Sequence, residues 1–482
     1  MAEKSVSRLI PEFLMRPALA LALSLTVVAA LPAQEPAAKA QREARDILSE
    51  MISINTSIRR GGTTPLAQKL AARFRTAGVP EADIHLLGAD AKDQNLVVRI
   101  RGKGTAKPVL FLAHIDVVDA MRSDWSMEPY QLIEKDGWLY GRGTSDDKGP
   151  AATMVAAALA LVRSGIAPDR DIIVALTSGE EVGDESGAAW LLRLHKELVN
   201  AEYVFNFDAG GPAIDQDVLR WIELQGSEKV YWTVTFTVKN AGGHSSLPRP
   251  DNAILRLATA LKRLEAYPFP IHLTDIARAQ LTARVPFVEA AEGNVIREVL
   301  KKPLSLAAAE SLAARTPSYN ALLRTTCTPT MLAAGHAENA LPALATATVN
   351  CRLIPGEYSA DVMRMLKAIV ADTTVAIAEV NPAKPSPPSP LLPERMAIIK
   401  QAAIDTWGRE IPISPVQETG ATDGLYFRNA GIPVYGITGI PMPVDETRAH
   451  GNDERIPIKS FEEGVTFATA LMKTVAGVKY PP

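Results

Sequence analysis

The chain has 482 residues, more than one hydrophobic core usually serves, so two domains are expected. Hydrophobic residues make up 47% and charged ones 22%, which describes a folded globular chain and excludes a disordered one. A formal net charge of -3 gives no electrostatic case for binding nucleic acid, so the expected partner is a small-molecule substrate.

The N-terminus departs from that average. Lys4, Arg8 and Arg16 precede an uncharged apolar run from Pro17 to Ala33, followed by a polar, Ala-rich stretch. This is the layout of a secretory signal peptide. Residues 1–33 are therefore set aside, and the mature protein is expected to be periplasmic or secreted, with no stable membrane insertion. The run is close to the length of a membrane span, so an uncleaved anchor is the competing reading.

From Ala38 to about Arg75 apolar residues recur at three- and four-residue intervals, a helical pattern. "NLVVRIRG" and "PVLFLAHIDVV" then read as strands, "PAATMVAAALALVRSG" as a helix, "DIIVALTSGEE" as a strand, "AAWLLRLHKEL" as a helix and "EYVFNFDAGG" as a strand. Apolar strands alternating with helices predict an α/β domain, a central mostly parallel sheet sandwiched by helices.

Near Gly226 the texture changes. "KVYWTVTFTVKN" alternates as a strand with one buried face does, a helix "DNAILRLATALKRLEAY" and a long mixed segment follow, and "ATATVNCRLIP" is a second alternating strand. The prolines of "NPAKPSPPSPLLPE" make a semi-rigid connector, after which "MAIIKQAAIDTWG" and "GIPVYGITGI" restore the first texture. The expected organisation is a catalytic domain in two parts, 34–225 and 386–482, interrupted by an inserted α+β domain at 226–385. Cys327 and Cys351 are the only cysteines and lack a metal-type Cys-x-x-Cys spacing; whether they pair is left open.

The titratable residues fall at strand ends. His114 and Asp116 follow "VLFLA", Glu180 and Glu181 follow "IIVALT", and Asp208 follows "YVFNF". Ligands of open α/β sheets bind at the carboxyl ends of strands. "GRGTSDDKG" adds Asp146 and Asp147 in a turn before a helix, and "AHGNDE" adds His450. Two histidines and four or five carboxylates so placed are what a carboxylate-rich two-metal hydrolase needs. "GRGTSDDKG" lacks the spacing of a phosphate-binding loop, and His85, His195, His272 and His336 carry no site assignment.

"FLAHIDVV", "GRGTSDDKG", "TSGEEVG", "FNFDAGG", "NAGGHSSLP", "ENALPALATATVNCRLIPG", "TGATDGLYFRNAGIP" and "AHGNDERI" occur in the order seen in a family of zinc metallopeptidases. The chain resembles aminoacylase, carboxypeptidase G, the carnosine-type dipeptidases, succinyl-diaminopimelate desuccinylase and acetylornithine deacetylase. The resemblance spans nearly the whole mature chain. It implies two zinc ions per subunit, with cobalt or manganese suited to the same residue types. His114 would bind one ion, Asp146 would bridge both, Glu181 would join the first, and Asp208 and His450 would complete the two coordination spheres. "DAGG" stands where many relatives carry "DEGG" or "GEP", so Asp208 is assigned as the one carboxylate available there.

The same resemblance makes Asp116 the acid that orients His114, and Glu180 the general base. His244 in "GGHSS" would be a lid histidine, which in dimeric relatives reaches the neighbouring subunit's site; this implies a homodimer and makes the insertion a lid and dimerisation domain. Asn339, Arg352 and Gly420 would contact substrate, Arg352 as a clamp for a carboxylate. The implied activity is that of an exported carboxypeptidase or dipeptidase, hydrolysing an amide bond of a short peptide or N-acyl amino acid with a metal-bridged hydroxide as nucleophile. An N-acyl-amino-acid deacylase is the alternative, and an exported binding protein with a vestigial metal site is the reading from a different class.

Overall fold

The computed structural model describes residues 34–57, 59–181, 186–446 and 448–478, and the signal-like segment 1–33 lies outside them. Among the described residues, ten strands form one sheet. At its centre Arg170–Thr177, Ala106–His114, Val204–Asn206 and Val434–Gly436 run parallel in that spatial order. Antiparallel strands flank them: Asn95–Ile100 and Ile84–Leu87 on one side, Val218–Glu228 and Gly211–Asp215 on the other.

The central strands are apolar throughout because both faces are covered. Phe111 and Ala113 pack with helices Gln34–Ser53, Lys148–Arg163 and Ile458–Ala476, whereas Leu110 and Leu112 point the other way, toward Ala188, Leu191 and Phe427. This two-residue period across a strand buried on both faces produces the expected sandwich.

One difference lies in the first helical stretch, which is two helices, Gln34–Ser53 and Thr64–Ala77. Gly61 and Gly62 interrupt it, and Pro65 falls in the first turn of the second helix, where a missing N–H costs nothing.

A separate four-stranded antiparallel sheet is formed by Thr326–Ala334, Leu344–Leu353, Val230–Lys239 and Val375–Glu379. Trp232, Val234, Phe236 and Val238 alternate inward with Ala345, Ala347, Val349 and Cys351, against helices Ala253–Glu265 and Ser359–Val370. Cys327 and Cys351 are register partners on adjacent strands and are joined as a disulfide.

The long mixed segment between these strands is four helices, Asp275–Arg284, Ala290–Leu300, Leu306–Ala313 and Pro317–Leu323, around an apolar cluster of their own. The first of them docks beside the sheet strand Ile413–Glu418. There Thr274 Oγ1 donates to Gln417 Oε1 at 2.8 Å, and the Gln417 N–H donates to Gln280 Oε1 at 3.0 Å.

The chain leaves the large sheet after Glu228 and returns through the proline-rich connector. Ser386 Oγ on that connector donates to Glu228 Oε1 at 3.0 Å, and Arg428 Nη1 lies 3.0 Å from the same oxygen, all buried. Among the described residues, no helix is long and apolar enough to cross a membrane.

Candidate metal centre

Parallel strands bring their carboxyl ends to one edge, and the titratable residues gather there. His114 ends its strand; Glu180 and Glu181 lie just beyond the neighbour on one side, and Asp208 just beyond the neighbour on the other. Asp146 comes from the loop leading into the helix Lys148–Arg163, and His450 from a loop near the C-terminus with a positive φ of 62°.

These side chains divide into two halves. His114 Nε2 lies 3.0 Å from Asp146 Oδ1 and 3.4 Å from Asp208 Oδ1. His450 Nε2 lies 3.0 Å from Asp146 Oδ2 and 3.0 Å from Glu181 Oε1. Each half thus has one imidazole, one carboxylate of its own and one oxygen of Asp146.

The nearest imidazole to Glu181 is thus that of His450, while His114, Asp146 and Glu181 also lie close enough together to share one ion, as the resemblance implied. Asp208 also lies beside His114, at 3.4 Å from its Nε2, and the strands that precede Asp208 and Glu181 both flank the one that ends in His114. Glu181, farther past the end of its own strand, meets the loop that carries His450.

The role of Asp116 is corrected. His114 Nδ1 is 3.0 Å from the carbonyl oxygen of Asp116 and 3.7 Å from its carboxylate, so the main chain supplies the nearer acceptor. With Nδ1 donating there, Nε2 keeps its lone pair for a cation. The Asp116 carboxylate instead accepts the backbone N–H groups of Glu180 at 3.3 Å and Glu181 at 3.1 Å, bracing the turn that separates the two glutamates.

Charge in the centre is unbalanced. Burial, aided by neighbouring carboxylates, pushes Asp208 up to about 7 and Asp116 up to about 6. Burial and Asp208 also push Asp147 and Glu180 well above the carboxylate range. Hydrogen bonds to Asp146 and Glu181 lift His450 to about 10, and Asp208 and Asp146 raise His114 even though burial opposes it. Asp147 Oδ1 is buried without a hydrogen-bond partner. Crowded anions beside two imidazoles are the donor set that divalent cations neutralise, so the residues present fit a metal.

Sequence reasoning missed what holds this set in place. Glu454 is fully buried; one of its oxygens accepts from Arg142 Nη1 at 2.7 Å and the Gly143 N–H at 2.9 Å. The other accepts the N–H groups of Ser145 at 2.7 Å and Asp146 at 3.0 Å. Arg142 Nη2 also donates to the Gly451 carbonyl at 2.9 Å, beside His450. The signal was present in "GRGTSDDKG" and "AHGNDE", where Arg142 and Glu454 sit within the two ligand motifs. Asp423, which accepts from Ser186 Oγ at 2.5 Å, was likewise not singled out.

Glu180 pairs with neither imidazole among the described residues; it faces a cavity of about 410 Å³ between the large sheet and the smaller one. Arg352 lines the same cavity, its guanidinium 4.6 Å from the centre of the Tyr231 ring. Gly420 is exposed beside the lining residue Ala421. His244 and Asn339 do not line the cavity of their own chain. His244 is exposed, with Nδ1 2.8 Å from Ser246 Oγ, and the Asn339 carbonyl accepts the Ser245 N–H at 3.0 Å.

A carboxylate and imidazole centre at the strand ends of an α/β sheet, opening on a cavity with a buried glutamate, defines a metal-dependent hydrolase. The sequence model of peptidase family M20/M25/M40 matches residues 110–474, and the chain belongs to that family, whose members hydrolyse amide bonds. It is 30% identical over 459 residues to the human N-fatty-acyl-amino acid synthase/hydrolase PM20D1, covering 90% of this chain and 87% of that protein. It is 27% identical over 385 residues to the probable carboxypeptidase S-like 2 of Dictyostelium discoideum, covering 76% and 71%.

Among solved structures, the metallo-carboxypeptidase Sso-CP2 of Sulfolobus solfataricus is similar with a TM-score of 0.69 at 17% identity, covering 90% of this chain and all of that one. Human carnosine dipeptidase 1 is similar with a TM-score of 0.64 at 17% identity, covering 92% and 98%. These likenesses extend the agreement in fold across both sheets.

Proposed function

We propose that the protein is an exported, zinc-dependent hydrolase of N-acyl amino acids and short peptides that end in a free carboxylate. The observation that carries the two-ion form of this reading is Asp146, whose two oxygens each lie 3.0 Å from a different imidazole. His114 and Asp208 would hold one ion, His450 and Glu181 the other, with Asp146 shared.

Zinc bound there supplies Lewis acidity toward the amide carbonyl and lowers the pKa of a water from about 15.7 toward about 7. Glu180, raised in pKa by burial, takes the proton of the attacking water and passes it to the leaving nitrogen, a role worth about 10²- to 10⁴-fold. It remains available for this because it belongs to neither ligand group. Arg352 receives the substrate carboxylate at the far side of the cavity. His244, exposed and away from its own centre, donates to the developing oxyanion in a second subunit.

Acyl amino acids are favoured over peptides by the 30% identity to PM20D1 across 90% of the chain. The deciding experiment is turnover of N-acyl amino acids of graded acyl length beside a dipeptide panel, with chelation and zinc restoration. Chelator-sensitive, zinc-restored hydrolysis of the acyl series is expected. Turnover that survives complete metal removal overturns the mechanism, and cleavage confined to dipeptides overturns the substrate preference.

A further inference from the structure

The cavity in front of Glu180 sets charged side chains among apolar ones such as Val230, Trp232 and Leu425. Glu180, Glu181 and Asp423 stand at the metal end, and three cations, Lys229, Arg352 and Lys384, line the rest. Lys229 is spent: its ammonium donates to the carbonyls of Ala321 at 3.0 Å and Arg324 at 2.8 Å, with Thr326 Oγ1 3.4 Å away. Among the described residues, the hydrogen bonds of Arg352 are long, to Asn350 Oδ1 at 3.3 Å and the Thr419 carbonyl at 3.4 Å, which leaves the guanidinium able to turn to a ligand.

Lys384 is different in origin. It belongs to the proline-rich connector, between Pro382 and Pro385, whose rings restrict the backbone there. The connector is pinned immediately afterwards: Asn429 Nδ2 donates to the Pro385 carbonyl at 2.5 Å, and Ser386 Oγ donates to buried Glu228 at 3.0 Å. The Lys384 ammonium rests 3.0 Å from the Tyr426 hydroxyl, as the Arg352 guanidinium rests on Tyr231. That contact uses one of three ammonium protons and leaves two to donate. The cavity therefore presents two separately mounted cations opposite an acidic end.

We propose that Lys384 is a specificity-determining residue, and that the cavity takes substrates whose departing amino acid carries a second carboxylate, the aspartyl and glutamyl class. This rests on the amide-hydrolase reading above for the position of the scissile bond. Arg352 holds one carboxylate and Lys384 the other, while the acidic end repels either anion and so orients the amide toward the metal ligands. A single carboxylate would need one cation, and the two reach the cavity from different elements, the small sheet and the connector.

The test pairs N-acetyl-glutamate with its neutral isostere N-acetyl-glutamine in steady-state kinetics, using the zinc-loaded full chain, Lys384→Met and Lys384→Arg. In parallel, calorimetry compares glutarate with glutaramate, which reads the cationic wall without turnover. The wild type is expected to favour the dianion in each pair by about tenfold, the effect of one charge-assisted hydrogen bond at a partly exposed site. Lys384→Met should abolish the preference through a higher KM for the glutamate substrate, and Lys384→Arg should keep it. A wild type without preference for the dianion, or a preference unchanged in Lys384→Met, overturns the proposal. If neither amide is hydrolysed while glutarate still binds better than glutaramate in a Lys384-dependent way, the hydrolase reading fails and the assignment of Lys384 stands.

Discussion

Arg142 and Glu454, 312 positions apart in sequence, form a fully buried ion pair at 2.7 Å that fastens the loop of Asp146 to the loop of His450. Removing one member leaves a buried charge without its partner. Arg142→Met is expected to cost about 3–5 kcal/mol of unfolding free energy in a denaturant titration. Glu454→Gln keeps the shape and weakens the support of the ligands, so zinc affinity measured against a chromophoric chelator should fall about 10- to 100-fold. A Glu454→Gln protein with unchanged zinc affinity would show that the ligand loops hold their positions without it.

Glu180 and Glu181 should separate in their effects. Glu181→Ala removes a carboxylate 3.0 Å from His450 Nε2, so metal analysis should find zinc lost from that half. Glu180→Ala should retain its metal and lose about 10²- to 10⁴-fold in kcat. Near-normal turnover in Glu180→Ala would remove it from the role of base.

Lys229 predicts a pH dependence of stability. Burial pushes its ammonium down to about 7, whereas the unfolded chain releases that proton near about 10.4. Between these values the unfolded state binds a proton that the folded state does not, so the contribution of this group to unfolding free energy increases with pH. Lys229→Met lacks the group; its stability advantage over the wild type should be largest at pH 7 and shrink as pH is raised toward 10. A difference that stays constant across this range would mean that the lysine titrates normally.

His244 should reveal a second subunit. His244→Ala is expected to lower kcat with zinc content unchanged. Mixing it with inactive Glu180→Ala under conditions that exchange subunits should restore part of the activity, since one site of the hybrid receives both intact groups. No recovery despite demonstrated exchange would confine His244 to its own chain.

The metal ligands were legible because each lies at a strand end or in a short motif of a distinctive kind. His114, Asp146, Glu181, Asp208 and His450 were named from that placement and from the family resemblance, and the structure brings all five together. Their division into halves was not legible. It depends on how far each carboxylate lies past its strand end and on where the loop of His450 folds back, and neither is written in the local pattern of any one strand. The pairing of Arg142 with Glu454 was hidden for a similar reason: each looks like an ordinary loop charge until the chain is closed.

The helical segment from Asp275 to Leu323 was opaque because its short helices bury small, scattered apolar positions such as Ala277, Ala309 and Leu312. The proline-rich connector was read as a semi-rigid spacer only. Nothing in its composition indicated that Lys384 would line the cavity.

The contact between Glu228 and Ser386 also means that the outward and inward crossings of the chain meet at one point. Everything between them, the small sheet and the four helices, is inserted at that point as a cassette, which touches the large sheet again where its first helix docks on Gln417. A short glycine linker across it should allow residues 230–384 to be deleted without pulling the large sheet apart, since its two flanks already touch. Such a shortened protein would keep His114, Asp146, Glu181, Asp208 and His450 but lose Arg352 and Lys384, leaving a centre equipped to bind metal and unable to choose its substrate.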